Sequence, residues 1–282
     1  MDGTSTRVEA ADGLTANAAR PVAGSRPARR RGRSRAAILL QQIGFGVLLV
    51  LVWQAVVSLD LVTPIVARTP REVAEAMWAL LTGSDFWPSF VSTISAMLIA
   101  FALASVVGIG IGILLGLMPR THRVTEPYLS FFNSIPRTAF APIFLVYFGI
   151  GQSSKIALAF TIVVFVMIVN ARAGVIAVDR DIVTMARTIG MSKRQMFVKV
   201  MLPGAVPSIF AGLWLGVIYA LLGVVTSEII ASERGVGQLV AQASSVYALE
   251  TVYALVILLG LVGMLLNIVM GVAERYLLRW QK

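Results

Sequence analysis

The sequence predicts an all-α integral membrane protein of about six transmembrane helices, with both termini on the cytoplasmic side. Three observations carry that prediction. Apolar residues make up 57% of the chain and charged residues only 13%, against about a quarter charged in soluble domains. The apolar residues come in long blocks, not in the stripes of an amphipathic soluble helix, and roughly 20 helical residues suffice to cross hydrocarbon. Lys and Arg, finally, fall almost wholly on one side of those blocks.

The blocks run over 36–59, 88–118, 128–148, 156–178, 209–227 and 251–276. Before the first lies a segment, 1–35, rich in Arg, Ala, Gly and Pro and without apolar period. Such composition predicts a disordered basic tail, with the transmembrane domain filling 36–282. The first block is longer than a signal-peptide core and no small-residue cleavage site follows it, so it is expected to be a span. Pro119 stands where a proline can stop the second block. With the tail inside, nineteen of the 24 Lys and Arg fall on the cytoplasmic side, and Arg68, Arg71 and Arg234 fall opposite. Only Arg137 and Lys155 lie in or at the edge of a span. This asymmetry sets N-in, C-in orientation by the positive-inside rule.

The net charge of +10 does not point to nucleic acid, because the cations are not clustered on an aromatic-studded soluble domain. About half the excess belongs to the tail. With no cysteine there is no disulfide framework and no thiol chemistry. The single histidine, His122, falls in a short cytoplasmic loop where a solvated role is expected, which leaves little for a transition-metal site.

Two connectors are more than links. Between the first two spans, Thr69-Pro-Arg-Glu72 is a capping box with proline at the first helical position. Val73, Met77 and Leu80 follow at helical spacing, predicting a short amphipathic helix on the outer interface. Between the fourth and fifth spans, about 179–203, more than twenty residues join helices that need only a few. Asp181 is expected to cap a helix whose apolar face is Ile182, Met185, Ala186 and Ile189. Gly190 is placed to end it at positive φ. Ser192-Lys-Arg-Gln195 is a second capping box, opening a helix that Pro203 is expected to close. Arg187, Lys193, Arg194 and Lys199 face away from the apolar side. The pattern fits a hairpin lying on the lipid surface and equally one whose apolar knob inserts into a cytoplasmic partner.

Within the spans, the second carries small residues every fourth position, Ala96, Ala100, Ala104, Gly108, Gly112 and Gly116, a spacing that lets helices approach closely. The third contains Asn133-Ser-Ile-Pro-Arg-Thr-Ala-Phe-Ala-Pro142. Each proline deletes a backbone donor, and such breaks are tolerated at membrane depth where protein or a water-filled cavity surrounds them. This span therefore belongs inside the bundle beside a pathway. Arg137 in it either bonds freed carbonyls and snorkels or faces the pathway and favours an anion. Gly149-Ile-Gly-Gln-Ser-Ser-Lys155 lacks phosphate-loop spacing. Ser154 and Lys155 as adjacent residues do not make a hydrolase dyad, since no oxyanion-binding elbow surrounds them.

These residues resemble a known family, the membrane subunits of binding-protein-dependent ABC importers of the sulfonate, nitrate and taurine type. The hairpin from Thr184 to Pro203 resembles that family's EAA loop: Ala186, Gly190, Leu202 and Pro203 fit its pattern, while Thr184 and Met185 replace the expected Glu and Ala. The segments 135–142, 147–156 and 228–237 resemble family segments in the same order, and the resemblance covers about 63–280. It implies a type I importer fold, in a bacterial-type plasma (inner) membrane, with two permease copies enclosing a central pathway. It further implies two ATPase subunits holding ATP and Mg²⁺, no cofactor on this chain, and an external solute-binding protein. Thr184, Ala186, Gly190, Met191, Ser192 and Pro203 would then couple to the ATPase. Asn133, Pro136, Arg137 and Glu228 would border the route of a small solute, anionic like sulfonates, nitrate or taurine. An ion-coupled secondary transporter is the alternative. It would be expected to carry acids within its helices, whereas Glu228 and Glu250 lie at span ends.

Overall fold

The computed structural model describes residues 35–63 and 66–277. Apart from Arg35, the predicted tail lies outside the described residues. Helix α1, Arg35–Ser58, starts where that tail is expected to end. The helix crosses the boundary between two units, Met1–Leu49 and Val50–Lys282. In the first, Leu39, Leu40 and Ile43 are exposed.

In the second unit, Thr69 caps α2 (Pro70–Thr82) through the predicted capping box. Val73 is its buried residue, and the helix packs on α11. Helix α3, Phe86–Leu117, follows, then α4, Pro119–Ser134. Proline at the first helical position loses no hydrogen bond, so α4 starts one residue beyond α3 and no loop intervenes. This corrects two expectations. The third span begins well before residue 128, and His122 is not a loop residue but a buried one on α4, 8% exposed.

After Ser134 the chain breaks. Pro136 disfavours the helical conformation in the residue before it, and Ile135 is accordingly extended (φ −73°, ψ 128°). A 3₁₀ turn, Arg137–Phe140, and α5, Ala141–Phe148, leave at 78° to α4. The third span is thus a bent pair instead of one helix. Helix α6 is Gln152–Ile176, and α7, Arg180–Thr188, opens the cytoplasmic hairpin. A four-residue α8, Lys193–Met196, passes through a π turn, Phe197–Met201, into α9, Leu202–Ile230. Pro203 therefore does not close the hairpin. It sits at the start of α9, within a continuous helical run from Lys193 to Ile230 that the π turn interrupts just before it. Helices α10, Val236–Ser245, and α11, Leu249–Leu277, end the fold. Among the described residues five helices are long and apolar enough to span, and there are six where the bent pair counts as one span. Among the described residues there is no strand.

Helices α3, α6 and α9 form the centre. The predicted ladder on α3 is the reason they approach so closely. Ala96, Ala100 and Ala104 are fully buried, and a methyl added at Gly112 would lie 2.6 Å from the Ile168 carbonyl oxygen on α6. Small residues replace side-chain interdigitation with backbone contact, the means by which helices associate without a hydrophobic drive from water.

Candidate functional site

Two regions carry all the predicted site residues but Glu228, and a third gathers polar groups that the sequence left scattered. The hairpin is the first. Asp179, not Asp181, caps α7: its carboxylate accepts from Asp181 N–H at 2.8 Å. The chain thus turns into the helix two residues earlier than expected. At the other end Gly190 has φ +80°. Gly190 N–H donates to Arg187 O at 3.0 Å and Met191 N–H to Ala186 O at 3.1 Å, the paired bonds of a Schellman turn. Ser192 Oγ accepts from Gln195 N–H while Gln195 returns a bond to Ser192 N–H, so the second capping box is formed. Ala186 and Met196 are buried, pinning the two arms. Ile182, Met185 and Ile189, the rest of the predicted apolar face, are exposed. Thr184 and Ser192 are exposed as well, and Met191 and Pro203 half-buried.

The break in the third span is the second region. Asn133 is in the last turn of α4 and Arg137 opens the 3₁₀ turn, so Pro136 brings the two side chains together across the bend. The Arg137 guanidinium donates to Asn133 Oδ1 and its Cζ lies 4.8 Å over the centre of the Phe165 ring. The guanidinium faces a cavity of about 510 Å³ walled by Phe132, Phe140, Phe144, Tyr147 and Phe165. Its Nε is buried without a hydrogen-bond partner.

Glu228, the fourth predicted pathway residue, lies elsewhere. Its fully buried carboxylate pairs with Lys155 Nζ at 3.1 Å, the lysine side chain being 2% exposed. Thr93 donates its hydroxyl to the carboxylate, 2.9 Å from both oxygens, and accepts from Val236 N–H at 2.9 Å. Gly237 N–H donates to Glu228 at 2.9 Å. Lys155 further donates to Ser92 Oγ at 2.9 Å and to the Arg234 carbonyl. This knot ties α3, α6 and α9 to the start of α10. Gly235 is required in it: φ is +149°, and a methyl there would sit 2.1 Å from the Glu228 carboxyl carbon. The sequence signal was available, since Lys155 and Glu228 are opposite charges at span ends on the same predicted side, and a buried charge has to be paired.

Third, His122, Glu126, Ser130 and Asn133 of α4 face Phe165 and Arg172 of α6 around a cavity of about 110 Å³. Arg172, which the charge count placed among the cytoplasmic cations, lies within the last two turns of α6. Both imidazole nitrogens of His122 and Nε of Arg172 are buried with no hydrogen-bond partner. His122 Nε2 is 3.5 Å from Glu126, near enough for charge attraction but without hydrogen-bond geometry. Among the described residues no group of His, Cys, Asp and Glu is placed to hold a metal ion.

A broken span beside an apolar cavity, a close-packed three-helix centre and a projecting helical hairpin together define a multi-pass membrane permease. The family described as binding-protein-dependent transport system inner membrane component matches residues 108–282, and the chain belongs to it. It is similar to the taurine transport system permease protein TauC of Escherichia coli strain K12, 29% identical, with 84% of this chain and 88% of TauC covered. It is likewise similar to the putative aliphatic sulfonates transport permease protein SsuC of Bacillus subtilis strain 168, 29% identical over 98% of both chains. The fold matches an inward-facing structure of the MetNI methionine ABC transporter with TM-score 0.62 at 18% identity, covering 72% of this chain and 97% of the other. The chain is therefore the inner-membrane permease subunit of an ABC importer with the type I fold, and the secondary-transporter alternative is set aside. Hydrolysis of ATP belongs to a separate subunit, and an ATPase and a binding protein are its partners.

Proposed function

We propose that this permease carries a small organic anion of the sulfonate type, and that Arg137 meets the anion's charged head at the break in the third span. The observation that supports this reading is the state of Arg137: a cation at membrane depth whose partners are an amide and an aromatic face, with no carboxylate beside it. An arginine at the centre of a bilayer costs on the order of 2.5–3.5 kcal/mol on insertion scales. A carboxylate would offset that cost and would also repel an anion. An amide and a ring hold the guanidinium in place while leaving its charge uncompensated. The aromatic walls accept the organic part of a solute, and the sulfonate and taurine labels of the similar permeases fit the charge.

Two copies of the chain would face one another across the pathway, over two ATPase subunits that hold ATP and Mg²⁺, with the chain itself needing no cofactor. The exposed Ile182, Met185 and Ile189 beside Gly190 would fill an apolar groove of the ATPase, and Thr184, Met191 and Ser192 would rim it. Coupling requires that the ATP-bound partner prefer one permease state, because only differential affinity moves an equilibrium. The test is uptake by vesicles containing permease, ATPase and binding protein. Arg137→Gln is expected to lower alkylsulfonate uptake several-fold while basal ATP hydrolysis persists. Unchanged uptake, with unchanged dependence on sulfonate concentration, returns Arg137 to a structural role.

A further inference from the structure

The small cavity between α4 and α6 lies next to the Arg137 cavity. Phe165 borders both, and Asn133, which faces the small cavity, is the residue that holds Arg137 in the large one. In the predicted topology the small cavity is the more cytoplasmic of the two, since His122 lies in the first turns of α4 and Arg172 in the last turns of α6. Its polar groups are out of balance. Arg172 has no ion-pair or hydrogen-bond partner among the described residues, and both nitrogens of the buried His122 are unpartnered. The one acid, Glu126, lies beside His122, and its side chain is 59% exposed. Buried polar groups in native proteins are nearly always satisfied, and buried charges are paired. What the cavity lacks is an acceptor for the Arg172 guanidinium, since the one carboxylate lies against His122, so the chemistry that completes it is an acceptor-rich anion.

We infer that this cavity is a second oxyanion station, in which Arg172, His122 and the Asn133 amide receive the charged head of a solute leaving Arg137 for the cytoplasm. The inference rests on the anionic-cargo reading for the source of the anion, though not for the site itself. A guanidinium offers a fork of donors that matches two oxygens of a sulfonate or sulfate. Two stations that share Asn133 and Phe165 would let one anion be exchanged between cations without crossing uncharged hydrocarbon. Asn133 would link the two stations, because its amide oxygen accepts from Arg137 while its N–H₂ group is left to donate to an anion in the second cavity.

The chain lacks cysteine, so one introduced at Ser130, which borders the cavity and is exposed, reports on it alone. The assembled transporter carrying Ser130→Cys is placed in phosphatidylcholine nanodiscs and treated with anionic or cationic methanethiosulfonates, with rates normalised to a free thiol. The anionic reagent is expected to react about tenfold faster, as charged clefts with low-dielectric walls concentrate counter-ions. Methanesulfonate and inorganic sulfate should slow it. Arg172→Gln should erase both the preference and the protection, and Arg172→Lys should restore the preference. His122→Gln should weaken protection and keep part of the preference. Equal reagent rates with no protection by either anion would overturn the station, even if Arg137→Gln abolishes sulfonate uptake. If sulfonate is not transported but sulfate protects in an Arg172-dependent way, the cargo reading fails and the site stands. Protection that appears only when phosphatidylglycerol is added, without any soluble anion, would assign the cavity to a lipid headgroup and overturn its role in transport.

Discussion

Removing either charge of the Lys155–Glu228 knot should cost far more than removing both. Each of the three Lys155 ammonium protons has an acceptor: Glu228, Ser92 Oγ and the Arg234 carbonyl. The carboxylate in turn accepts from Lys155, Thr93 and Gly237. In Glu228→Gln the ammonium keeps two neutral acceptors and loses its counter-charge in a site with almost no solvent. In Lys155→Met the carboxylate keeps two neutral donors and loses its cation. Breaking a buried pair from one side typically costs about 3–5 kcal/mol, whereas replacing both partners is often close to neutral. The double variant Lys155→Met/Glu228→Gln should therefore lose less than either single one, because the glutamine oxygen still accepts from Thr93 and Gly237. The coupling, the double loss minus the two single losses, should then exceed about 3 kcal/mol in magnitude, beyond the roughly 0.5–3 kcal/mol seen for most residues in contact. The measurement is equilibrium unfolding of the four proteins in mixed micelles, read as a double-mutant cycle. Additive losses, or single variants within about 0.5 kcal/mol of wild type as surface changes are, would refute the view that this pair holds the start of α10 to the bundle.

Two further outcomes follow from the hairpin and the orientation. A methyl at Gly190 meets nothing within 4 Å, so Gly190→Val acts through backbone strain alone, about 1–3 kcal/mol at positive φ. It should insert normally yet lose transport and substrate-stimulated ATP hydrolysis together; wild-type transport with a displaced hairpin would favour the lipid-surface reading. Cysteines at Ser34 and Ser192 should label only from the cytoplasm and those at Ser84 and Ser244 only from outside, and strong outside labelling of Ser192 in sealed cells would overturn N-in, C-in topology.

Local chemistry was the legible part of this sequence. Both capping boxes, the positive-φ Gly190 and the small-residue face of α3 appear where the residues placed them, because each depends on neighbours within a few positions. Two of the misplacements share one cause, Pro119 and Pro203 read as terminators. Pro119 begins a helix, where with no N–H to lose proline is at home in a first turn, and Pro203 lies inside a continuous helical run just after a π turn. Reading Pro119 as an end alone created a loop that does not exist and left His122 in water. Pro136 was recognised as a break, but the 78° between its flanking helices depends on how α4 and α5 pack on α6, which no local pattern encodes.

The site was legible residue by residue and illegible in its pairings. Lys155 and Glu228 are 73 positions apart, and Arg172 lies 50 from His122 along the chain. Yet the cost of charge at membrane depth sets a constraint that ties them together. Arg137, Lys155 and Arg172 are among the cations within the spans or at their edges, and of these three Lys155 has a carboxylate beside it. That pair is closed: every donor and acceptor is taken, which suits a structural joint and leaves nothing for a passing solute. The two arginines are open. Each lies beside a cavity, each has a buried nitrogen without a partner, and Asn133 stands between them. A protein that needed only stability would have paired or deleted these charges, since a desolvated guanidinium lacking an anion is unfavourable. Retaining two of them, one at the break after α4 and one on α6, is intelligible when the missing counter-charge arrives with the cargo and leaves with it.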